Sequence, residues 1–106
     1  MVQDKIVVFC TVPSDNIAKK IARELIKNNI AACCNIVKGL TSIYFWKDQV
    51  QEDNELLLII KTKNKMFDKL EKTILQIHPY EIPEIIALPI IRGHNKYIKW
   101  IDENVK

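Results

Sequence analysis

Glycine and arginine are scarce in this sequence of 106 residues, which contains two of each and no long apolar run. Two glycines cannot build the glycine-rich loop that cradles a phosphate. Two arginines among scattered lysines, with a net charge of +3, do not form the basic stripe of a nucleic-acid-binding protein. No segment approaches the roughly 20 consecutive apolar residues of a membrane span. We therefore expect no nucleic acid and no membrane as partner.

Cysteine is also rare, and no two cysteines have the C-x-x-C spacing of a thiol redox pair or a zinc ribbon. The three cysteines are Cys10, Cys33 and Cys34. The N-terminal residues enter an apolar segment without the pattern of a secretion signal. We therefore expect free thiols and a cytoplasmic location. With 48% hydrophobic and 27% charged residues, the composition is typical of a single globular domain, which we assign to residues 1–106.

The apolar periodicity predicts the order strand, helix, strand, strand, helix, strand, helix. Ser14 can cap the first helix, and Pro79 ends the second by disfavouring helical geometry at His78. The predicted strands are residues 5–12, 31–46 with a bend near Lys38 and Gly39, 54–62 and 84–91, and the closing helix is 95–105. Right-handed crossovers then favour an α+β fold, a ferredoxin-like βαββαβ sandwich with an extra C-terminal helix and a long hairpin of the second and third strands. The first and third strands, apolar on both faces, belong in its centre.

An uncovered sheet face predicts self-association. Two helices cover only one face of a four-stranded sheet, yet the first strand is apolar in both phases. The hairpin also extends beyond the helices, because a strand rises about 3.3 Å per residue and a helix about 1.5 Å. Its far part carries four large side chains, Ile43, Tyr44, Phe45 and Trp46. A monomer would expose this patch, so we expect a homo-oligomer.

Four segments together resemble the CutA divalent-cation tolerance family. They are "SIYFW", "NELLLIIKT", "HPYEIPEIIALPI" and "YIKWI", and the resemblance runs from the first strand to the last helix. It implies a ferredoxin-like subunit, a homotrimer similar to the PII signalling proteins, a cytosolic location and a link to copper and other divalent metals. The sequence departs from the family at Asp48, where the pattern Y-x-W-x-G has glycine.

The resemblance also implies a set of metal ligands. The cysteine that ends the first strand is Cys10, and the second of two adjacent family histidines is His78, whereas Ile77 stands at the first. A thiolate and an imidazole suit copper, and Glu81 or Glu84 could add a carboxylate oxygen. The alternative is structural, with Cys10 in the core, His78 bonded to backbone and the glutamates forming a polar rim.

A second group of residues is expected at an intersubunit cleft or interface. Its members are Tyr44, Trp46, Lys61, Tyr80 and Trp100. Pro79 and Pro83 stiffen the segment that holds Tyr80, which serves either a rigid binding site or a tight connection into the last strand.

Two functional hypotheses follow, and neither is an enzyme, since the sequence contains no nucleophile elbow and no phosphate loop. In the first, a trimer responds to copper or similar cations by binding them weakly at Cys10 and His78. In the second, a PII-like trimer binds a small molecule or a partner in its intersubunit clefts, and metals act indirectly. No cofactor is required by either hypothesis; copper or another divalent cation is the one expected ion.

Overall fold

The computed structural model describes residues 4–106 as four strands and three helices. The strands are β1 (Lys5–Val12), β2 (Cys33–Trp46), β3 (Gln49–Lys63) and β4 (Ile86–Pro89). The helices are α1 (Asp15–Lys27), α2 (Phe67–Ile77), which follows a single 3-10 turn at Asn64–Met66, and α3 (Asn95–Asn104). The first three residues of the predicted domain lie outside the described residues. Within residues 4–106, no helix combines the length and apolar character needed to cross a membrane.

The strands form one antiparallel sheet in the order β2-β3-β1-β4. β1 pairs along its whole length with β3, from Lys5 opposite Lys63 to Val12 opposite Leu56. This arrangement confirms the predicted α+β, ferredoxin-like fold with β1 and β3 in the centre. β4 is shorter than the predicted strand and ends at Pro89, which has no N–H to donate and so suits an edge.

One face of the sheet is covered by α1 and α2. The Ser14 hydroxyl caps α1 by accepting a hydrogen bond of 3.3 Å from the backbone N–H of Ile17. His78, at φ −67° and ψ 131°, ends α2 in the extended conformation that a following proline requires. The fully buried side chains between sheet and helices include Val8, Cys10, Val12, Ala18, Ile21, Leu25, Leu58, Ile60, Leu70 and Ile74.

The opposite face, which we call the open face, keeps much of its apolar surface exposed. Residues paired across the sheet point to the same side, so Phe9, opposite Ile59 on β3 and Ile86 on β4, defines this face. Ile86 is 51% exposed. The open-face apolar residues are Val7, Phe9, Val37, Leu57, Ile59, Ile86 and Leu88. The prediction of a sheet apolar on both sides is therefore correct.

α3 is fastened to the sheet by charge as well as packing. Asp102 Oδ1 lies 3.2 Å from Nζ of Lys5 and 3.0 Å from Nζ of Lys63, and both lysines are nearly buried. Ile101 on the same helix is fully buried. Because buried lysines need a partner, this shared carboxylate ties α3 to the central strands.

A bulge divides the β2–β3 hairpin into two parts. The pairing passes from Val37 opposite Leu57 to Leu40 opposite Glu55, so β2 has one extra residue there. Gly39, at φ 79°, supplies the left-handed conformation at the bend that the sequence predicted. Because side chains alternate along a strand, one extra residue reverses which β2 positions face the open side.

The hairpin ends in a two-residue turn. Trp46 pairs with Gln49, and both residues between them have positive φ, 51° at Lys47 and 62° at Asp48. Positive φ at both central positions defines a type I′ turn, for which glycine is favoured at the second position. The departure of Asp48 from the family pattern therefore falls on a left-handed residue.

We predict that Asp48→Gly stabilises the protein by about 0.5–1 kcal/mol, because glycine adopts positive φ without the steric cost that a Cβ imposes. Asp48→Ala is the control, since it also removes the carboxylate but keeps the Cβ. We expect chemical denaturation to rank the stabilities as glycine, aspartate and then alanine. If both variants shift the midpoint equally, the lost carboxylate rather than the backbone explains the effect.

Candidate functional site

A cavity of about 620 Å³ lies between the far part of the hairpin and the segment that connects α2 to β4. We call it the Tyr80 cavity. Its lining residues are Thr11, Ser42, Ile43, Tyr44, Trp46, Glu55, Pro79, Tyr80, Glu81, Ile82 and Glu84. Thr11 pairs with Leu57 on the open face, so the cavity adjoins that face.

The bulge at Gly39 places the hairpin aromatics at this cavity. Beyond the bulge, Ser42 pairs with Asp53 and Tyr44 with Gln51, so the even-numbered residues of β2 share a face with Glu55. Without the extra residue, Tyr44 and Trp46 would point to the other side of the hairpin. The bulge at Gly39 is thus required for Tyr44 and Trp46 to line the cavity.

Two phenol–carboxylate hydrogen bonds fix the aromatic walls. The Tyr80 hydroxyl donates to Glu55 Oε2 over 2.7 Å, and the Tyr44 hydroxyl donates to Asp53 Oδ2. Burial, followed by the hydrogen bond and the charge of Glu55, raises the pKa of Tyr80 well above its usual range. Both phenols therefore stay protonated at neutral pH and act as donors. Glu55 is 6% exposed although it carries a carboxylate.

The ionisable side chains of the Tyr80 cavity are all acidic or phenolic. Glu55, Glu81 and Glu84 line it, and no lysine, arginine or histidine of residues 4–106 does. None of these three carboxylates forms an ion pair with a residue in the same range. The cavity is therefore locally negative in a chain whose net charge is +3.

His78 is buried, and both of its ring nitrogens have partners. Nε2 lies 2.8 Å from the carbonyl oxygen of Thr11, and Nδ1 lies 3.2 Å from the backbone N–H of Tyr80. A carbonyl only accepts and an N–H only donates, so these contacts assign the proton to Nε2 of a neutral ring. The imidazole packs beside the Tyr80 ring, with centroids 4.6 Å apart.

The Cys10 side chain lies close to His78, as the chain topology predicted. Its Sγ lies 3.8 Å from the same Thr11 carbonyl oxygen, at the end of β1. Burial, and then the charge of Glu84, raises the pKa of the Cys10 thiol to about 12. The thiol is therefore protonated at neutral pH. Within residues 4–106, no three His, Cys, Asp or Glu side chains are grouped so that they could hold a metal ion.

The remaining predicted site residues are divided between three places. Tyr44, Trp46, Tyr80, Glu81 and Glu84 meet at the Tyr80 cavity. Lys61 instead lies on the open face, where its Nζ donates to Asn35 Oδ1. Trp100 stacks on Tyr97 of α3 with ring centroids 5.6 Å apart.

Glu55 is the one ionisable cavity residue that the sequence did not predict; Thr11, Ser42 and Ile82 were not predicted either. The signal for Glu55 was present in "NELLLIIKT", where one carboxylate precedes an apolar strand in phase with Leu57 and Ile59. A charge in the same phase as apolar residues marks either a strand end or a site.

Comparison with known proteins gives consistent matches. The family model described as CutA1 divalent ion tolerance protein matches residues 6–104. The Divalent-cation tolerance protein CutA of Thermus thermophilus is 51% identical over 98 residues, which cover 92% of this chain and 95% of that protein. By contrast, the chain spans only 52–64% of the length of the vertebrate and plant relatives.

Solved structures agree over the whole fold. The crystal structure of CutA1 from Oryza sativa has a TM-score of 0.95 at 41% identity and covers 100% of this chain and 98% of its own. The periplasmic divalent cation tolerance protein CutA from Archaeoglobus fulgidus has a TM-score of 0.93 at 32% identity, with 96% and 99% covered. The fold, the sequence motifs and these matches agree, and the chain belongs to the CutA1 divalent ion tolerance family.

Proposed function

We propose that this protein is a homotrimer that acts in divalent-cation tolerance as a binding module, with the Tyr80 cavity as an intersubunit cleft for a small molecule or a partner. The observation that carries this proposal is the position of the cavity, a concave site of about 620 Å³ beside a partly exposed apolar sheet face. Ligand sites are typically concave, partly apolar and located where structural units meet. The protein is not an enzyme in this proposal and requires no cofactor.

Exposed apolar surface supports the assembly. The open face and the far part of the hairpin each present large side chains to solvent, among them Ile86, 51% exposed, and Phe45, 67% exposed. Apolar patches of this kind mark interfaces. A closed symmetric ring would bury the same patch on every subunit, and a trimer is the closed form that the family resemblance implies.

Copper binding at Cys10 and His78 is the second candidate function. It is favoured by one observation, the contact of both side chains with the Thr11 carbonyl oxygen. Two features make that site poorly prepared for a metal. A thiol with a pKa of about 12 resists forming the thiolate that binds metal, and His78 would have to give up a hydrogen bond to offer a nitrogen lone pair. We therefore propose that metals act indirectly.

A cytoplasmic location is part of the proposal. It is consistent with three free cysteines, which persist in a reducing compartment. The Archaeoglobus fulgidus relative is named periplasmic, so family membership does not determine the compartment.

We predict that the protein is a trimer at micromolar concentration and that Ile86→Lys disrupts it. A lysine on the open face would bring an unpaired charge into the apolar interface, at a cost of several kcal/mol per site. Leu75→Lys is the matched control, because Leu75 is equally exposed at 51% but lies on α2, away from the open face. Light scattering should give the trimer mass for the control and a smaller mass for Ile86→Lys. A folded monomeric wild type would refute the assembly.

We also predict that Cys10→Ser changes copper affinity by less than about twofold, because a protonated, buried thiol contributes no ligand. Isothermal titration of the wild type, Cys10→Ser and His78→Ala measures this directly. A direct copper site would show a large loss in both variants, and the double variant would bind little worse than either. Such non-additivity would establish Cys10 and His78 as ligands of one ion and reverse our preference.

A further inference from the structure

We propose that the Tyr80 cavity selects small organic cations, in particular ammonium ions that carry an apolar group. The inference rests on the proposed function in treating this cavity as the binding site, and it adds the chemical class of the ligand. It is argued from the side chains that one subunit contributes to the cleft, and its test measures charge preference, which is read independently of the oligomeric state.

Glu55 supplies the first argument. Glu55 is 6% exposed as a whole residue, and the one described hydrogen-bond partner of its carboxylate is the neutral Tyr80 hydroxyl at Oε2, in a partly buried contact. The second oxygen, Oε1, has no hydrogen-bond partner among residues 4–106, and no basic group of that range lies within ion-pair distance. A carboxylate that is shielded from most of the solvent and lacks a counter-charge in its own subunit is unfavourable. A cation bound in the cavity would supply the missing charge.

Glu81 and Glu84 supply the second argument. Both line the cavity, both are exposed, and neither donates to or accepts from another described side chain. Their charges add to that of Glu55 and repel an anion. The carboxylates that this subunit contributes therefore disfavour phosphates and carboxylates as ligands of the cavity.

The aromatic walls distinguish an organic cation from a metal ion. Tyr44, Trp46 and Tyr80 line the cavity, and the faces of such rings attract ammonium groups within about 6 Å. Ile82 and Pro79 add apolar surface that would contact the organic part. A divalent metal instead needs several oxygen ligands that converge on one point, and residues 4–106 contain no such group. The combination of carboxylates and rings fits an organic ammonium ion best.

A matched set of three probes tests the charge. Benzylammonium, benzyl alcohol and benzoate have similar size and shape but carry positive, zero and negative charge at neutral pH. In phosphate buffer, free of competing amines, isothermal titration should show one benzylammonium site per subunit. We expect benzyl alcohol to bind about tenfold more weakly and benzoate not measurably, because one cation–π contact with carboxylate support accounts for about that factor.

A variant locates the binding. Glu81→Gln combined with Glu84→Gln removes two of the cavity charges without breaking a described hydrogen bond, so the fold should persist. We expect this double variant to lose about tenfold in benzylammonium affinity and to bind benzyl alcohol as before. Glu103→Gln, at a position on α3, is the control and should bind like the wild type.

Three results would overturn the proposal. They are equal affinity for benzylammonium and benzyl alcohol, unchanged benzylammonium affinity in the glutamine double variant, and binding of a divalent metal in the cavity without any binding of benzylammonium. If light scattering shows a monomer while benzylammonium still binds with charge preference, the trimer fails and the cation site stands. A trimer that binds the three probes without charge preference would refute the cation site and leave the assembly standing.

Discussion

The pairing of β1 with β3 is the constraint on which the rest of the structure depends. Eight opposed pairs, from Lys5 with Lys63 to Val12 with Leu56, fix which side chains meet the helices and which lie on the open face. A slip of one residue would move the core side chains of the shifted strand to the other side of the sheet. The same pairing brings Lys5 and Lys63 together, so that one carboxylate of α3, Asp102, forms an ion pair with each of them, and Asp4 provides a second carboxylate for Lys5. Core, open face and C-terminal helix thus follow from one register.

The carbonyl oxygen of Thr11 connects that register to the functional region. It lies where β1 ends, and it accepts from His78, which ends α2. The backbone N–H of Tyr80 donates to the same imidazole. The segment that contains Pro79 is therefore held by a histidine whose hydrogen bonds are all to backbone groups. His78 therefore acts as a structural link, and its position beside Cys10 needs no metal to explain it. These hydrogen bonds hold the backbone of Tyr80 in place, and Tyr80 lines the cavity. They therefore also stiffen the cavity wall.

Sequence reasoning recovered the fold well because its main signals are local. The phase of apolar residues identified the central strands, Pro79 marked the end of α2, and Gly39 marked the bend. β4 was predicted too long, since the apolar residues around it suggested a strand where only Ile86–Pro89 pair regularly. Its neighbours are apolar without being paired, a distinction that depends on tertiary contacts.

The site was recovered only in part. Chain topology placed Cys10 near His78. The partners of His78 are backbone groups, which every residue has, so no sequence pattern could reveal that its nitrogens are occupied. Glu55 joins Tyr44 only because of the bulge, and a one-residue offset is too small for pattern reading to detect.

The extra residue at Gly39 also governs how this hairpin can vary in length. Adding or removing two residues from each strand beyond the bulge would preserve the alternation, and Tyr44 and Trp46 would keep their side while the tip moved by about 7 Å. An insertion or deletion of a single residue between Gly39 and Trp46 would instead exchange the two faces of β2 beyond it. The length of this hairpin can therefore change in even steps, whereas an odd step would turn Tyr44 and Trp46, two of the three aromatic residues that line the Tyr80 cavity, to the opposite face.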